Sequence, residues 1–144
     1  MSDAKLYDDD IALWADRQAE ALRRRASNEI DWDNVAEEIE SLSRSDRREI
    51  RNRLKVICRH LLKWRFQPDK RSENWRSSVE NGRDAIADLI AESPSLGSYP
   101  APQLDRAYTL GRKDAAKETG IADLPETCPW TIGQVLDPDF WPDG

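Results

Sequence analysis

The sequence predicts an all-α fold: an antiparallel bundle of about four helices, with a proline- and tryptophan-rich C-terminal tail docked on it. Apolar residues recur at spacings of three and four along most of the 144 residues, which is the helical period. No segment shows the alternation that is typical of strands, and the periodic stretches end at clusters of Gly, Pro or Ser. A chain of this length can bury roughly two-thirds of its unfolded surface, so we expect one domain over residues 1–144.

The first helix is predicted over residues 8–26. Three aspartates at positions 8–10 lie where carboxylates stabilise the positive end of a helix, and three arginines at positions 23–25 lie where cations stabilise the negative end. Its buried stripe repeats every three or four residues and consists of Ile11, Trp14, Gln18 and Leu22.

One long helix is predicted over residues 33–66, capped by Asp33 or Asn34, because no Gly or Pro interrupts this stretch. Two shorter helices with a break near residues 43–46 are the alternative. In either case one helical phase is kept by Val35, Ile39, Leu42, Ile50, Leu54, Ile57, Leu61 and Trp64.

A proline turn at residues 67–70 ends this helix, and Ser72 is placed to cap a third helix over residues 73–92. After a Pro/Gly/Ser loop at 96–102, a fourth helix is expected over 103–119, with Gly120 ending it. The buried stripes of these two helices are predicted to be Trp75, Val79, Gly82, Ile86 and Leu89, then Leu104, Ala107, Tyr108, Gly111 and Ala115.

The tail, residues 121–144, combines four prolines with three aromatic residues: Trp130, Phe140 and Trp141. Thr131 and Gln134 have the spacing of a capping box, which predicts one short helix. So many aromatic side chains indicate that the tail packs on the bundle.

Charge is distributed unevenly along the chain. Residues 1–43 contain 12 acidic and 5 basic side chains, residues 44–71 contain 3 and 11, and residues 72–144 contain 13 and 6. The basic segment 44–71 either binds an anionic partner or pairs with the chain's own acidic segments. Arg53, Arg59, Lys63 and Arg71, with Trp75 beside them, are the candidates for anion or partner binding. The partner would be a nucleic acid, an acidic protein or a second copy of the chain.

Residues that could carry chemistry are few. His60 is the only histidine, and Cys128 is the second of two cysteines, so these are weak candidates for a reactive group. Glu37 and Glu38 are weak candidates for metal binding, although the sequence predicts neither a metal site nor a cofactor. We predict a cytoplasmic protein for three reasons. The two cysteines do not make a disulfide framework, the sequence shows no signal peptide, and no apolar run is long enough to span a membrane.

The order of several short motifs resembles a bacterial family known only as domain of unknown function number 29. The motifs extend from Leu6-Tyr7 to Trp141-Pro142 and include Val35-Ala36-Glu37-Glu38-Ile39-Glu40-Ser41-Leu42, His60-Leu61-Leu62-Lys63, Gln67-Pro68 and Cys128-Pro129-Trp130-Thr131. The resemblance implies a small all-helical bacterial protein without an assigned activity. Where the family often has Gly after its Glu-Glu-Ile-Glu-x-Leu segment, this chain has Ser43, which favours an unbroken helix.

No complete catalytic constellation is found, so the leading hypothesis is a non-enzymatic binding module that uses residues 44–71. One alternative is a small enzyme that acts on an anionic substrate through His60 or Cys128. The other is a purely structural helical protein.

Overall fold

The computed structural model describes residues 3–143. Its α-helices are α1 (Asp3–Asp9), α2 (Ile11–Arg23), α3 (Trp32–Phe66), α4 (Glu73–Glu92), α5 (Pro100–Thr119) and α6 (Ile132–Leu136). Short 3-10 turns lie at Ser27–Glu29, Pro68–Lys70 and Pro94–Ser98, and no strand occurs in the described residues. The all-α prediction is therefore confirmed. Contacts divide the chain into two compact units, the first ending at Ser45 and the second beginning at Asp46.

The start of the chain differs from the prediction, because residues 3–23 form two helices instead of one. Asp10 has φ −152°, far from the helical value, and its side chain accepts a hydrogen bond from the Leu13 backbone N–H at 3.1 Å. Asp10 thus separates α1 from α2 and caps α2. Trp14 is buried as predicted, whereas Ile11 and Leu22 are 49% and 43% exposed.

A buried amide holds the first unit together. Gln18 is 2% exposed, and its Nε2 donates to Asp3 Oδ2 at 3.0 Å and to the Glu29 carbonyl at 3.3 Å. Its Oε1 accepts from the Asp31 backbone N–H at 2.7 Å, while Trp14 Nε1 donates to Asp31 Oδ2 at 3.0 Å. Since a buried polar group without a hydrogen-bond partner costs free energy, this network fixes α1 and α2 to the chain that enters α3.

Helix α3 is continuous, so the long helix is confirmed and the two-helix alternative is wrong. The predicted caps Asp33 and Asn34 are also wrong, because the helix begins at Trp32. Asp31 precedes it and accepts a hydrogen bond from Asn34 Nδ2 at 2.8 Å. In the second unit the predicted stripe is buried: Ile50, Leu54, Ile57, Leu61 and Trp64.

Two glycines let α4 and α5 approach α3 closely. A Cβ on Gly82 of α4 would lie 2.8 Å from Ile57 Cγ1, and one on Gly111 of α5 would lie 2.7 Å from the Lys55 carbonyl oxygen. Both distances are below van der Waals contact. The second unit therefore has α3 in direct contact with α4 and α5, and α3, α4, α5 and the tail all contribute to its hydrophobic core.

Helix α4 has the predicted bounds, and Ser72 Oγ accepts from the Trp75 N–H at 3.2 Å. Helix α5 begins at Pro100, three residues before the predicted start, because proline at the first helical position is already set to the helical φ. Gly120 ends α5 with φ 77°, as predicted.

The tail docks within the second unit. Thr131 and Gln134 form the predicted capping box of α6, and Leu124, Trp130 and Val135 are buried. Trp141 lies with its ring centroid 4.5 Å from that of Trp64. The prediction of a docked aromatic tail is therefore confirmed.

Candidate anion-binding groove

Part of the basic segment is neutralised by neighbouring carboxylates. Arg44 pairs with Glu37 at 2.6 Å and with Glu40 at 3.5 Å, and Arg53 pairs with Glu49 at 2.8 Å. These are exposed pairs, which contribute little to stability. They nevertheless reduce the charge that Arg44 and Arg53 offer to a partner.

Two further candidates share one carboxylate. Lys63 Nζ lies 3.1 Å from Glu118 Oε2 on α5, and Arg59 Nε lies 3.8 Å from the same oxygen. Lys63 also lies 4.8 Å from the ring centroid of Trp75. The structure therefore brings Arg59, Lys63 and Trp75 together, but with an acidic side chain already at the centre.

Arg71 has different partners from that group. Its Nε donates to the Trp64 carbonyl at 2.8 Å, and its guanidinium lies 4.9 Å from the Trp64 ring centroid. Arg76 of α4 is 5.1 Å from the same ring and 4.8 Å from that of Trp141. These arginines cover the indoles that hold the tail. The residues proposed from the sequence for anion binding do not converge on one open site.

A different set of cations does converge. A groove of about 200 Å³ between α3 and α5 contains three cationic side chains and two amides, and its lining includes no carboxylate. Arg51, Lys55 and Arg106 form no ion pair with another side chain in the range 3–143. The lining consists of Arg51, Asn52, Lys55, Gln103, Arg106, Ala107 and Leu110.

The local fold explains why these cations line a groove. Ile50 and Leu54 are fully buried, whereas Arg51 and Lys55, each about 100° further round α3, are exposed and half-buried respectively. On α5, Ala107 is 4% exposed and packs in the core, whereas Arg106 beside it is exposed. Unpaired cations from two helices therefore lie on either side of one depression.

The cationic row extends beyond the groove. Arg47, Arg51 and Lys55 are four residues apart, which places successive side chains about 6 Å apart along one face of α3. Arg51 Nη1 donates to Tyr99 Oη at 2.9 Å, and the Arg47 guanidinium lies 5.7 Å from the Tyr99 ring centroid. The half-buried Tyr99 ring is therefore held beside the row.

Sequence reasoning identified the basic segment but not these residues. The spacing of Arg51 and Lys55 was available as a signal. No sequence pattern could have placed Arg106 beside them, because it lies about fifty residues later and its position depends on how Gly111 packs α5 against α3.

His60 is 7% exposed, and its Nδ1 lies 2.9 Å from the Val56 carbonyl oxygen. Because a carbonyl oxygen only accepts, Nδ1 carries the proton. Burial lowers the pKa of His60 below 6.5, with Arg59 and Lys63 acting in the same direction. The ring is therefore neutral at physiological pH.

Both thiols are free. Burial raises the pKa of Cys58, which is fully buried, and also that of the half-buried Cys128, whose Sγ donates to the Trp130 carbonyl at 3.3 Å. A nucleophilic cysteine needs the opposite shift.

The two candidate metal ligands have other partners. Glu37 pairs with Arg44, and Glu38 accepts a hydrogen bond from the Tyr7 hydroxyl. This hydrogen bond, with burial, raises the pKa of Tyr7 to about 12. Residues 3–143 contain no group of three or more His, Cys, Asp or Glu placed to hold a metal ion.

The comparisons with known proteins identify a family. A family model described as Domain of unknown function DUF29 matches residues 6–141, and the chain belongs to this family, whose function is unknown. No curated protein and no solved structure shows a significant match. Within residues 3–143, every helix is too short or too polar to span a membrane.

Proposed function

We propose that the protein is a non-enzymatic binding module, and that its α3–α5 groove takes the phosphate backbone of a single-stranded nucleic acid. The observation that carries this proposal is the convergence of Arg51, Lys55 and Arg106 without a carboxylate among the lining residues. Three unpaired cations beside two amide donors suit phosphate oxygens, which accept several hydrogen bonds and carry charge.

The extended row favours a polyanion over a small anion. Arg47, Arg51 and Lys55 continue along α3, so a chain of phosphates gains contacts that one phosphate cannot. The Tyr99 ring beside the row supplies an aromatic face on which a base can stack. A flexible strand can lay its backbone into a narrow groove, whereas a duplex presents its phosphates on a rigid convex surface.

The enzyme alternative receives less support. It needs His60 or Cys128 in an activated state, and burial of His60 and Cys128 disfavours the charged form of each side chain. We further propose a location in the bacterial cytoplasm, because Cys58 and Cys128 are both free thiols, the state that a reducing compartment maintains.

The proposal is tested by fluorescence anisotropy with a short labelled oligonucleotide of mixed sequence, single-stranded and then paired with its complement. We expect the single strand to bind more tightly. Phosphate contacts at Arg47, Arg51, Lys55 and Arg106 predict that log K falls with log salt concentration with a slope of about −2.8. In the double variant Lys55→Gln/Arg106→Gln we expect affinity to fall about tenfold or more and the slope to approach about −1.4.

The matched control is Arg23→Gln/Lys70→Gln, which removes the same charge from two exposed side chains outside the groove lining. Its affinity should stay close to that of the wild type. A wild type that does not bind at low salt, or a control that loses as much affinity as the groove variant, contradicts the proposal. Displacement of the oligonucleotide by an equal charge of polyglutamate would instead indicate an acidic protein as partner.

A further inference from the structure

Within the first unit, α3 carries apolar side chains that remain exposed. Trp32, Ile39 and Leu42 are 59%, 63% and 68% exposed, and Val35 is half-buried. Their spacings of three, four and three place them on one face of the helix, as in the seam of a coiled coil. We call these four residues the α3 stripe. Exposed apolar side chains that adjoin one another mark an interaction surface.

Both edges of the α3 stripe are acidic. Residues 31–43 contain five carboxylates and no Lys or Arg. Since successive residues of a helix are rotated by about 100°, Asp33 and Glu40 lie to one side of the stripe and Glu38 lies to the other. The Glu38 carboxylate accepts a hydrogen bond from the Tyr7 hydroxyl, which is neutral and therefore leaves the carboxylate its charge.

The basic side chain that follows this segment does not cancel its charge. Arg44 pairs with Glu37 at 2.6 Å and with Glu40 at 3.5 Å, so a single cation is shared by two carboxylates. Asp33 is exposed and forms no ion pair with the side chains that the structure describes. The surroundings of the stripe therefore keep a net negative charge.

The acidic edges decide which occupant fits the stripe. A second copy of the segment would bring carboxylates against carboxylates in either direction, because residues 31–43 offer no cation. The phosphates of a nucleic acid or of an anionic lipid surface are repelled for the same reason. An amphipathic helix with cations along the edges of its apolar face buries the stripe and also pairs with the carboxylates.

We propose that the α3 stripe is the docking site for a basic amphipathic helix of a partner protein. The apolar side chains of that helix pack on Ile39 and Leu42, and its lysines or arginines pair with the carboxylates beside them. The α3–α5 groove attracts anions, whereas this surface attracts cations. The site is thus independent of the proposed function and stands or fails separately from it.

The first test uses two synthetic peptides, each of about three heptads with leucine at both seam positions. One carries lysine at the positions that flank the leucines, and the other carries glutamate there. Fluorescence anisotropy of the labelled peptides measures binding to the full chain. We expect the lysine peptide to bind, more weakly as salt rises, and the glutamate peptide not to bind. Absence of binding by the lysine peptide, or equal binding by both, overturns the proposal.

The second test removes the apolar contacts. In Ile39→Gln/Leu42→Gln we expect the dissociation constant of the lysine peptide to rise roughly a hundredfold. The matched control is Leu22→Gln/Leu110→Gln, whose side chains are 43% and 42% exposed and lie on α2 and α5. It should bind like the wild type, and circular dichroism shows that each variant is folded. Equal losses in the two variants would place the peptide elsewhere and overturn the proposal.

The third test removes the charge at one edge. Asp33→Asn/Glu40→Gln should weaken binding of the lysine peptide about fivefold at low salt and reduce its salt dependence. The control Asp123→Asn/Glu126→Gln removes the same charge from two exposed side chains of the second unit and should have little effect. An equal loss in this control would mean that only net charge matters, which contradicts the proposal.

Sedimentation velocity of the protein without peptide identifies a competing occupant. We expect a monomer at the concentrations used for peptide binding. A wild type that dimerises, with the dimer lost in Ile39→Gln/Leu42→Gln, would show that a second copy covers the stripe and would overturn the proposal.

Discussion

Arg83 of α4 donates a hydrogen bond from Nε to the Val135 carbonyl oxygen at 2.8 Å, in the last turn of α6. A second hydrogen bond runs from Nη2 to the Phe140 carbonyl at 2.9 Å. Arg83 is only 4% exposed, and its guanidinium lies 5.4 Å from the Trp141 ring centroid. One buried guanidinium thus donates hydrogen bonds to two carbonyl oxygens of the tail that accept no hydrogen bond within a helix.

Replacing this cation should release the tail. We expect Arg83→Met to lower the free energy of unfolding by about 3 kcal/mol, because two tail carbonyl oxygens lose a charged donor. Urea denaturation followed by tryptophan fluorescence measures the loss. Arg76→Met is the control, since Arg76 lies over the Trp64 and Trp141 rings without donating to a tail carbonyl. If both variants lose equal stability, the hydrogen bonds are not what holds the tail.

Gly111→Ala should destabilise the contact between α3 and α5. The new methyl group would lie 2.7 Å from the Lys55 carbonyl oxygen, and backbone cannot move aside as a side chain does. Alanine favours a helix by about 1 kcal/mol over glycine, so a net loss of about 1–3 kcal/mol identifies the clash. Thermal or urea unfolding measures it. Gly97→Ala, whose methyl group would lie 3.7 Å from Ile90 Cγ2, should change stability by less than about 0.5 kcal/mol.

His60 should make folding sensitive to acid. Because burial lowers its pKa below 6.5, the folded state binds a proton less readily than the unfolded state. The contribution of His60 is therefore complete above pH 6.5 and is lost as the pH falls through the lowered pKa. In His60→Gln the free energy of unfolding should depend less on pH below pH 6.5. As His60 is the only histidine, its NMR resonances are unambiguous, and a titration midpoint at or above 6.5 would contradict the prediction.

Tyr108 should make folding sensitive to alkali. Its hydroxyl donates to the Pro125 carbonyl at 2.6 Å, and burial raises the pKa of Tyr108 from 10.0 to about 12. The stabilisation is complete below pH 10 and is lost as the pH approaches 12. Absorbance of phenolate formation should therefore show two late-ionising tyrosines, Tyr7 and Tyr108, and only one of them should remain in Tyr108→Phe. A late transition of undiminished amplitude in that variant would contradict the prediction.

Features that depend on neighbouring residues in the sequence were predicted well. The bounds of α4 follow from Ser72 and from the polar cluster that begins at Ser93, and Gly120 takes the left-handed conformation that ends α5. Thr131 and Gln134 form their capping box because each partner lies within one turn of the other. Such signals do not require knowledge of the rest of the fold.

Features that depend on distant residues were not predicted. Any of three successive aspartates could cap α2, and the structure uses Asp10, the last of them. Arg83 lies beside the predicted stripe of α4, but its partners are some fifty residues further along the chain. The same distance separates Lys55 from Arg106 in the candidate groove. Sequence patterns place such residues on a face of a helix without showing what that face meets.

The Trp64–Trp141 pair gives the protein a built-in optical signal. Two indole rings with centroids 4.5 Å apart and planes tilted by 44° couple their electronic transitions, which produces a paired positive and negative band in circular dichroism. Because one ring belongs to α3 and the other to the tail, this signal exists only while the tail is docked. Undocking of the C-terminus can therefore be followed in the unlabelled protein, separately from the loss of helix.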